Sequence, residues 1–216
     1  AADRTCQSLA PYGVGIVSGF AVGIDIASHL AAVSVNRPTI CVMGCGLDVD
    51  YPKDNFRYRE AVLKSQGLFV SEYPPGTAPH SQNFPKRNRI LAALGMAALV
   101  FEGSHRSGSL ITANLALDQG KEVFCLPPAD IFSSSFSGNI SMLRDGAKLL
   151  LSAEDVMECF ESDDDGEYYD EADSDYYEEL QAVVSDKIKY SEESEKKTEK
   201  NKNQPKKEPT PPPSPS

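Results

Sequence analysis

The sequence predicts an α/β fold with a doubly wound, mostly parallel sheet, and two observations carry that expectation. Short, unbroken apolar runs recur at 14–18, 39–43, 68–72, 98–102 and 122–126. Between them lie stretches with helical character at 24–35, 55–65, 85–94 and 110–119. A parallel sheet covered on both faces by its crossover helices needs this alternation, because its strands are buried on both sides. The layout is Rossmann-like.

Taken in order, residues 1–12 read as most of a helix. The strand and loop that open such a sheet do not precede it, so the expectation is an N-terminally truncated domain that begins inside the fold. The strand at 14–18 runs into a Gly-containing turn and the helix at 24–35, and the other strands are followed by turns and helices in the same way. A last helix is expected at 153–160, where Ser152 stands as N-cap and Asp155 places negative charge in the first turn, which favours a helix N-terminus. The domain is therefore expected to span residues 1–160.

Residues 161–216 differ in composition: an acidic, Tyr-containing stretch, then a Lys/Glu run, then a proline-rich end. Such a chain cannot bury enough apolar surface to offset the entropy of ordering it, so most of it is expected to be disordered. Tyr177, Leu180, Val184 and Ile188 fall at helical spacing, which leaves a short amphipathic helix and a transient one with no partner as open alternatives.

Charge follows the same division. Up to Phe160 there are 13 Lys and Arg against 15 Asp and Glu, a net of −2, and the tail supplies the other −9 of the total of −11. An acidic chain does not bind polyphosphate indiscriminately, so any nucleic-acid site must be a local cluster. The five cysteines, Cys6, Cys41, Cys45, Cys125 and Cys159, are an odd number, and Cys41 and Cys125 lie in strand-like runs. They read as reduced core residues. No second Cys/His pair at metal spacing follows Cys41 and Cys45, so no metal or other cofactor is expected. No apolar run reaches the length of a membrane span and no signal-like segment opens the chain, which makes a cytoplasmic protein the simplest reading.

Four segments carry chemistry. Ser18, Gly19 and the turn to Asp25 join a strand to a helix start, where glycine lets the backbone approach a ligand and free amides attract phosphate; a tight structural turn explains the glycines as well. Residues 44–55 end the next strand on the same sheet edge, with Lys53 either a phosphate contact or a solvated lysine. Asn83–Phe84–Pro85–Lys86–Arg87–Asn88–Arg89 is the densest basic cluster before the tail. Its arginine forks match phosphate, Asn88 matches a base edge and Phe84 offers a stacking face, against the plain reading of a helix start with solvated charges. Residues 102–113 bring Arg106, Ser107, Gly108 and Ser109 to a turn before a helix, a phosphate cradle or a capped helix.

No catalytic set holds together. The chain has neither a Gly-x-x-x-x-Gly-Lys-Ser/Thr loop nor a Gly-x-Ser-x-Gly elbow, and Ser109 near His105 lacks a third group to orient the base. Asp25, Glu72 and Glu102 are acids on the cleft side, each with a plausible capping or structural role. The expectation is a binding protein, not an enzyme.

In this order the stretches SGFAVGID (18–25), GCGLDVDYPKDN (44–55), SEYPPG (71–76), FPKRNRI (84–90) and SGSLITA (107–113) resemble the DNA processing protein A (DprA/Smf) family. Five ordered motifs are far more specific than any one of them. The resemblance spans about residues 14–156. It implies an extended Rossmann fold that dimerises, binds single-stranded DNA in a basic pocket and helps load RecA recombinase, protecting incoming DNA during natural transformation. On matching positions it implies Ser18, Gly19, Arg87, Asn88, Arg89 and Arg106 as pocket residues, with Lys53 beside them. Val22 stands where many relatives have arginine, Pro127–Pro128 where Pro-Gly is usual, and an acidic, proline-rich tail where many have a winged helix. The alternative is a nucleotide-processing enzyme of the lysine-decarboxylase-like Rossmann group, whose Pro-Gly-Gly-x-Gly-Thr-x-x-Glu motif is absent. The acid run 163–179 makes the tail either a DNA mimic for the basic pocket or a solubilising segment.

Overall fold

A computed structural model describes residues 1–161. The predicted tail, with its candidate helix at 177–188, lies outside the described residues.

The chain opens with helix α1 (Ala2–Ser8) and a 3₁₀ turn (Ala10–Tyr12), so the helix expected over the first twelve residues is shorter than predicted. Two βαβαβ halves follow. The first runs β1 (Ile16–Ser18), α2 (Ile24–Ser34), β2 (Thr39–Val42), the short pair α3 (Lys53–Phe56) and α4 (Arg59–Lys64), then β3 (Leu68–Val70). Helix α5 (Asn83–Leu94) leads to the second half: β4 (Ala97–Val100), α6 (Gly108–Asp118), β5 (Glu122–Cys125), α7 (Ser137–Arg144) and β6 (Lys148–Leu149), closed by α8 (Glu154–Glu161).

All pairings are parallel, in two three-stranded ladders ordered β1-β2-β3 and β4-β5-β6. The expected doubly wound α/β architecture is present, distributed over two ladders. Val14, just before β1, and Ala97 and Leu99 of β4 pack against the same buried cluster, which includes Phe101 and Phe124. Open α/β sheets bind ligands outside the carboxyl ends of their strands.

Burial follows strand position. In the middle strands, Cys41 and Val42 of β2 and Val123, Phe124 and Cys125 of β5 are sealed from solvent. Outer strands are wet, with Leu68 of β3 and Leu149 of β6 exposed. Each fully buried aliphatic or aromatic side chain contributes about 1.5–3 kcal/mol. All five cysteines are free thiols, and burial pushes the Cys41 thiol up to about 12 and the Cys125 thiol to about 11.

Two elements differ from the sequence expectation. The helix expected at 55–65 is two pieces, because Asn55 donates to the Phe20 carbonyl (2.8 Å) while Arg59 donates to the Leu47 carbonyl (2.6 Å) and stacks on Phe69. The break falls between those two anchors. Helix α7 and strand β6 went unpredicted, since Ser, Gly and Asn at the start of α7 are weak helix formers that tertiary packing holds in place. Gly138 donates its amide to the Gly103 carbonyl at 2.8 Å.

Candidate nucleic-acid interface

The four predicted segments come together: three follow β1, β2 and β4 at their carboxyl ends, and the other is the amino end of α5. Arg87, only 5% exposed, donates from its guanidinium to the carbonyls of Gly19 (3.0 Å) and Val42, and to Asn88 Oδ1 (3.2 Å). Asn88, also buried, donates to the Gly108 carbonyl at the start of α6 (3.2 Å). Asn83 donates to the Gly44 carbonyl (3.0 Å). The first six residues of α5 thus tie the ends of β1 and β2 and the start of α6 to one another. Burial pulls the Arg87 pKa down, opposed by the nearby charge of Asp25, and a guanidinium stays charged through such a shift.

Two glycines are required here by close approach. A Cβ on Gly19 would lie 2.5 Å from the Arg87 guanidinium, and one on Gly44 would lie 2.8 Å from the Phe84 ring. Phe84 itself is half-buried and packs on Tyr51, with ring centroids 5.4 Å apart. The turn between β1 and α2 is held from inside as well. Asp25 accepts the amides of Gly19 and Ala21, both at 3.2 Å, and Phe20 adopts a left-handed φ of 59° with its ring buried edge-on against Phe69.

The predicted site residues therefore fall into two groups. Gly19, Arg87 and Asn88 are buried, and the two side chains are engaged with the protein's own carbonyls. Lys53, Lys86 and Arg106 are exposed on three neighbouring segments and have no ion-pair or hydrogen-bond partner among the described residues. Arg89 is exposed and paired with Glu72. Ser18 is half-buried at the end of β1, and Gly108 is exposed as the first residue of α6. Ser107 and Ser109 bond each other through their hydroxyls (2.9 Å). Ser109 thus has Ser107 as its partner, while the His105 amide is taken by Ser137 Oγ (3.3 Å).

Sequence reasoning placed Asn55 and Asn83 within its segments without a role for either, and it missed Asn139. Asn139, fully buried on α7, donates to the carbonyls of Val100, Phe101 and Leu126 and so fixes the ends of β4 and β5. An asparagine that serves distant carbonyls leaves no local pattern; the only signal was its position beside a glycine or helix start.

The model of the family described as DNA recombination-mediator protein A matches residues 1–161. The chain belongs to that family. Among its relatives, Smf of Escherichia coli strain K12 is 42% identical over 153 residues, covering 71% of this chain and 41% of that protein. DNA processing protein DprA of Streptococcus pneumoniae is 44% identical over 146 residues, 68% of this chain and 51% of that protein. Its X-ray structure superposes with a TM-score of 0.66 at 39% identity, over 73% of this chain and 54% of that one. A structure of DNA processing protein A from Helicobacter pylori, concerned with the single-stranded DNA binding mode of that protein, gives a TM-score of 0.64 at 28% identity, over 75% and 73% of the two chains. The chain spans about half the length, or less, of these two curated relatives. Within the recombination-mediator fold, the Arg87 junction is the feature that brings the motif loops to one edge.

Proposed function

We propose that this edge binds single-stranded DNA, without chemistry, as part of a recombination mediator. The observation that carries the reading is the set of unpartnered cations, Lys53, Lys86 and Arg106, on three segments gathered at one sheet edge. Side chains of this kind neutralise phosphates, and the amino end of α6 with the Ser109 hydroxyl adds donors. The H. pylori relative, whose structure concerns single-stranded DNA binding, supports the same ligand. Ser18, Gly19, Arg89 and Gly108 border the contact surface. Arg87 and Asn88 act by positioning it.

In the wider process the bound strand is protected and handed to RecA during recombination and natural transformation, in the cytoplasm, by a homodimer. Among the described residues no helix is long and apolar enough to cross a membrane.

Fluorescence anisotropy with labelled oligo-dT tests the binding step. Lys86→Ala/Arg106→Ala, two exposed positions, should fold normally, bind several-fold more weakly and show a salt dependence shallower by about two phosphate contacts. Affinity and salt slope equal to those of the wild type would overturn the assignment.

A further inference from the structure

The acids of the cleft are not equivalent. Asp25 is committed to the amides of Gly19 and Ala21, and Glu72 to Arg89. Glu102, at the end of β4, is exposed and has no hydrogen-bond or ion-pair partner among the described residues. It lines a pocket of about 240 Å³ together with Ile24, Gly103, Ser104, Ser107 and Ser135. That space, a groove open to solvent, is several times a water's share of liquid, about 30 Å³, so its volume suffices for a base.

The wall chemistry selects the occupant. A carboxylate repels phosphate, so the pocket is the wrong place for the strand's backbone although Arg106, which suits it, lies between the lining residues Ser104 and Ser107 in the chain. Bases of a single strand expose their pairing edges to protein groups, and a carboxylate requires donors there. Thymine offers one N–H flanked by two carbonyls, which face an anion unfavourably. Guanine offers N1–H and N2–H side by side, the pair that both oxygens of one carboxylate accept, and its O6 accepts from a hydroxyl. Ser104 supplies a hydroxyl, Ser107 and Ser135 hydroxyls that are also paired with Ser109 (2.9 Å) and Ser133 (3.0 Å), and Ile24 an apolar wall for a ring face.

We propose that Glu102 makes this pocket a guanine-reading subsite, so that the strand is bound with a base preference set by one acid. The inference rests on the single-stranded DNA reading above and extends it from backbone to base.

The test uses the full chain and two labelled oligonucleotides of about sixteen nucleotides. One is oligo-dT; the other has every fourth thymine replaced by guanine, too sparse for guanine quartets. The wild type should bind the guanine-containing strand about tenfold more tightly, and Glu102→Ala, with a matched unfolding midpoint, should bind the two strands alike. Equal binding of both strands by the wild type, or a preference that survives in Glu102→Ala, would overturn the subsite while leaving the DNA reading intact. Binding of neither strand by the wild type would remove that reading and the subsite with it.

Discussion

Arg87 and His29 show how much of this fold depends on single polar side chains in dry places. Replacing Arg87 with alanine leaves the Gly19 and Val42 carbonyls without their donor and empties a buried volume, and hydrogen bonds to a charged group are worth about 1.5–3 kcal/mol each. Arg87→Ala should lower stability by roughly 3 kcal/mol in urea unfolding, with any loss of oligonucleotide binding following from the collapsed junction; an unchanged midpoint would contradict the positioning role. His29 is fully buried, with Nδ1 2.6 Å from the Thr39 hydroxyl and Nε2 unpartnered. Burial lowers its pKa to about 4; Asp25 pulls the other way and Arg87 reinforces the fall. The unfolded chain takes up that proton near 6.5, so between about pH 6.5 and 4 it binds more protons than the fold does and stability is lost as the pH drops. The loss reaches roughly 3 kcal/mol at the low end. Urea midpoints at pH 7 and 4.5 should therefore converge in His29→Gln, and an equal acid loss in both proteins would rule His29 out as its source.

At the scale of elements, α5 is held at both ends by different means. Its amino end is the Arg87 junction. At its carboxyl end Lys121, from the turn before β5, donates to the carbonyls of Ala92, Ala93 and Gly95, each at 2.7 Å. A cation at a helix C-terminus satisfies carbonyls that have no intrahelical partner and complements the dipole. Lys121→Met keeps the stem and removes the donor, and should cost about 1–2 kcal/mol by thermal or chemical unfolding. Helix α6 instead depends on small side chains. Ala113 and Ala116 are sealed against Ala92, Val100 and Val123, so Ala113→Leu should overpack that layer and cost about 1–3 kcal/mol. Tolerance of leucine at 113 would mean that the α5–α6 layer has slack.

For the whole molecule the relevant quantity is charge distribution. Residues 1–160 are close to neutral, whereas residues 161–216 carry −9. A tethered anionic segment competes with phosphate for exposed cations, over a range set by the Debye length of about 10 Å at 0.1 M salt. Removal of residues 161–216 should tighten oligo-dT binding several-fold at low salt, with the gain vanishing at about 0.5 M. An unchanged low-salt affinity would leave the tail a solubilising segment.

Periodicity and motif order determined the alternation of strands and helices, the sheet edge on which the loops gather and the family resemblance, because apolar continuity and glycine turns are local properties of the chain. The buried Cys41 and Cys125 were legible for the same reason. Tertiary structure alone decided which charges are free. Lys86 and Arg87 are neighbours in one helix turn, yet one is exposed and the other is sealed against two distant carbonyls. Asp25, Glu72 and Glu102 looked alike as cleft acids until their partners separated them. A side chain's environment is set by residues far away in sequence, and no local pattern encodes which carbonyl, amide or cation will be waiting there.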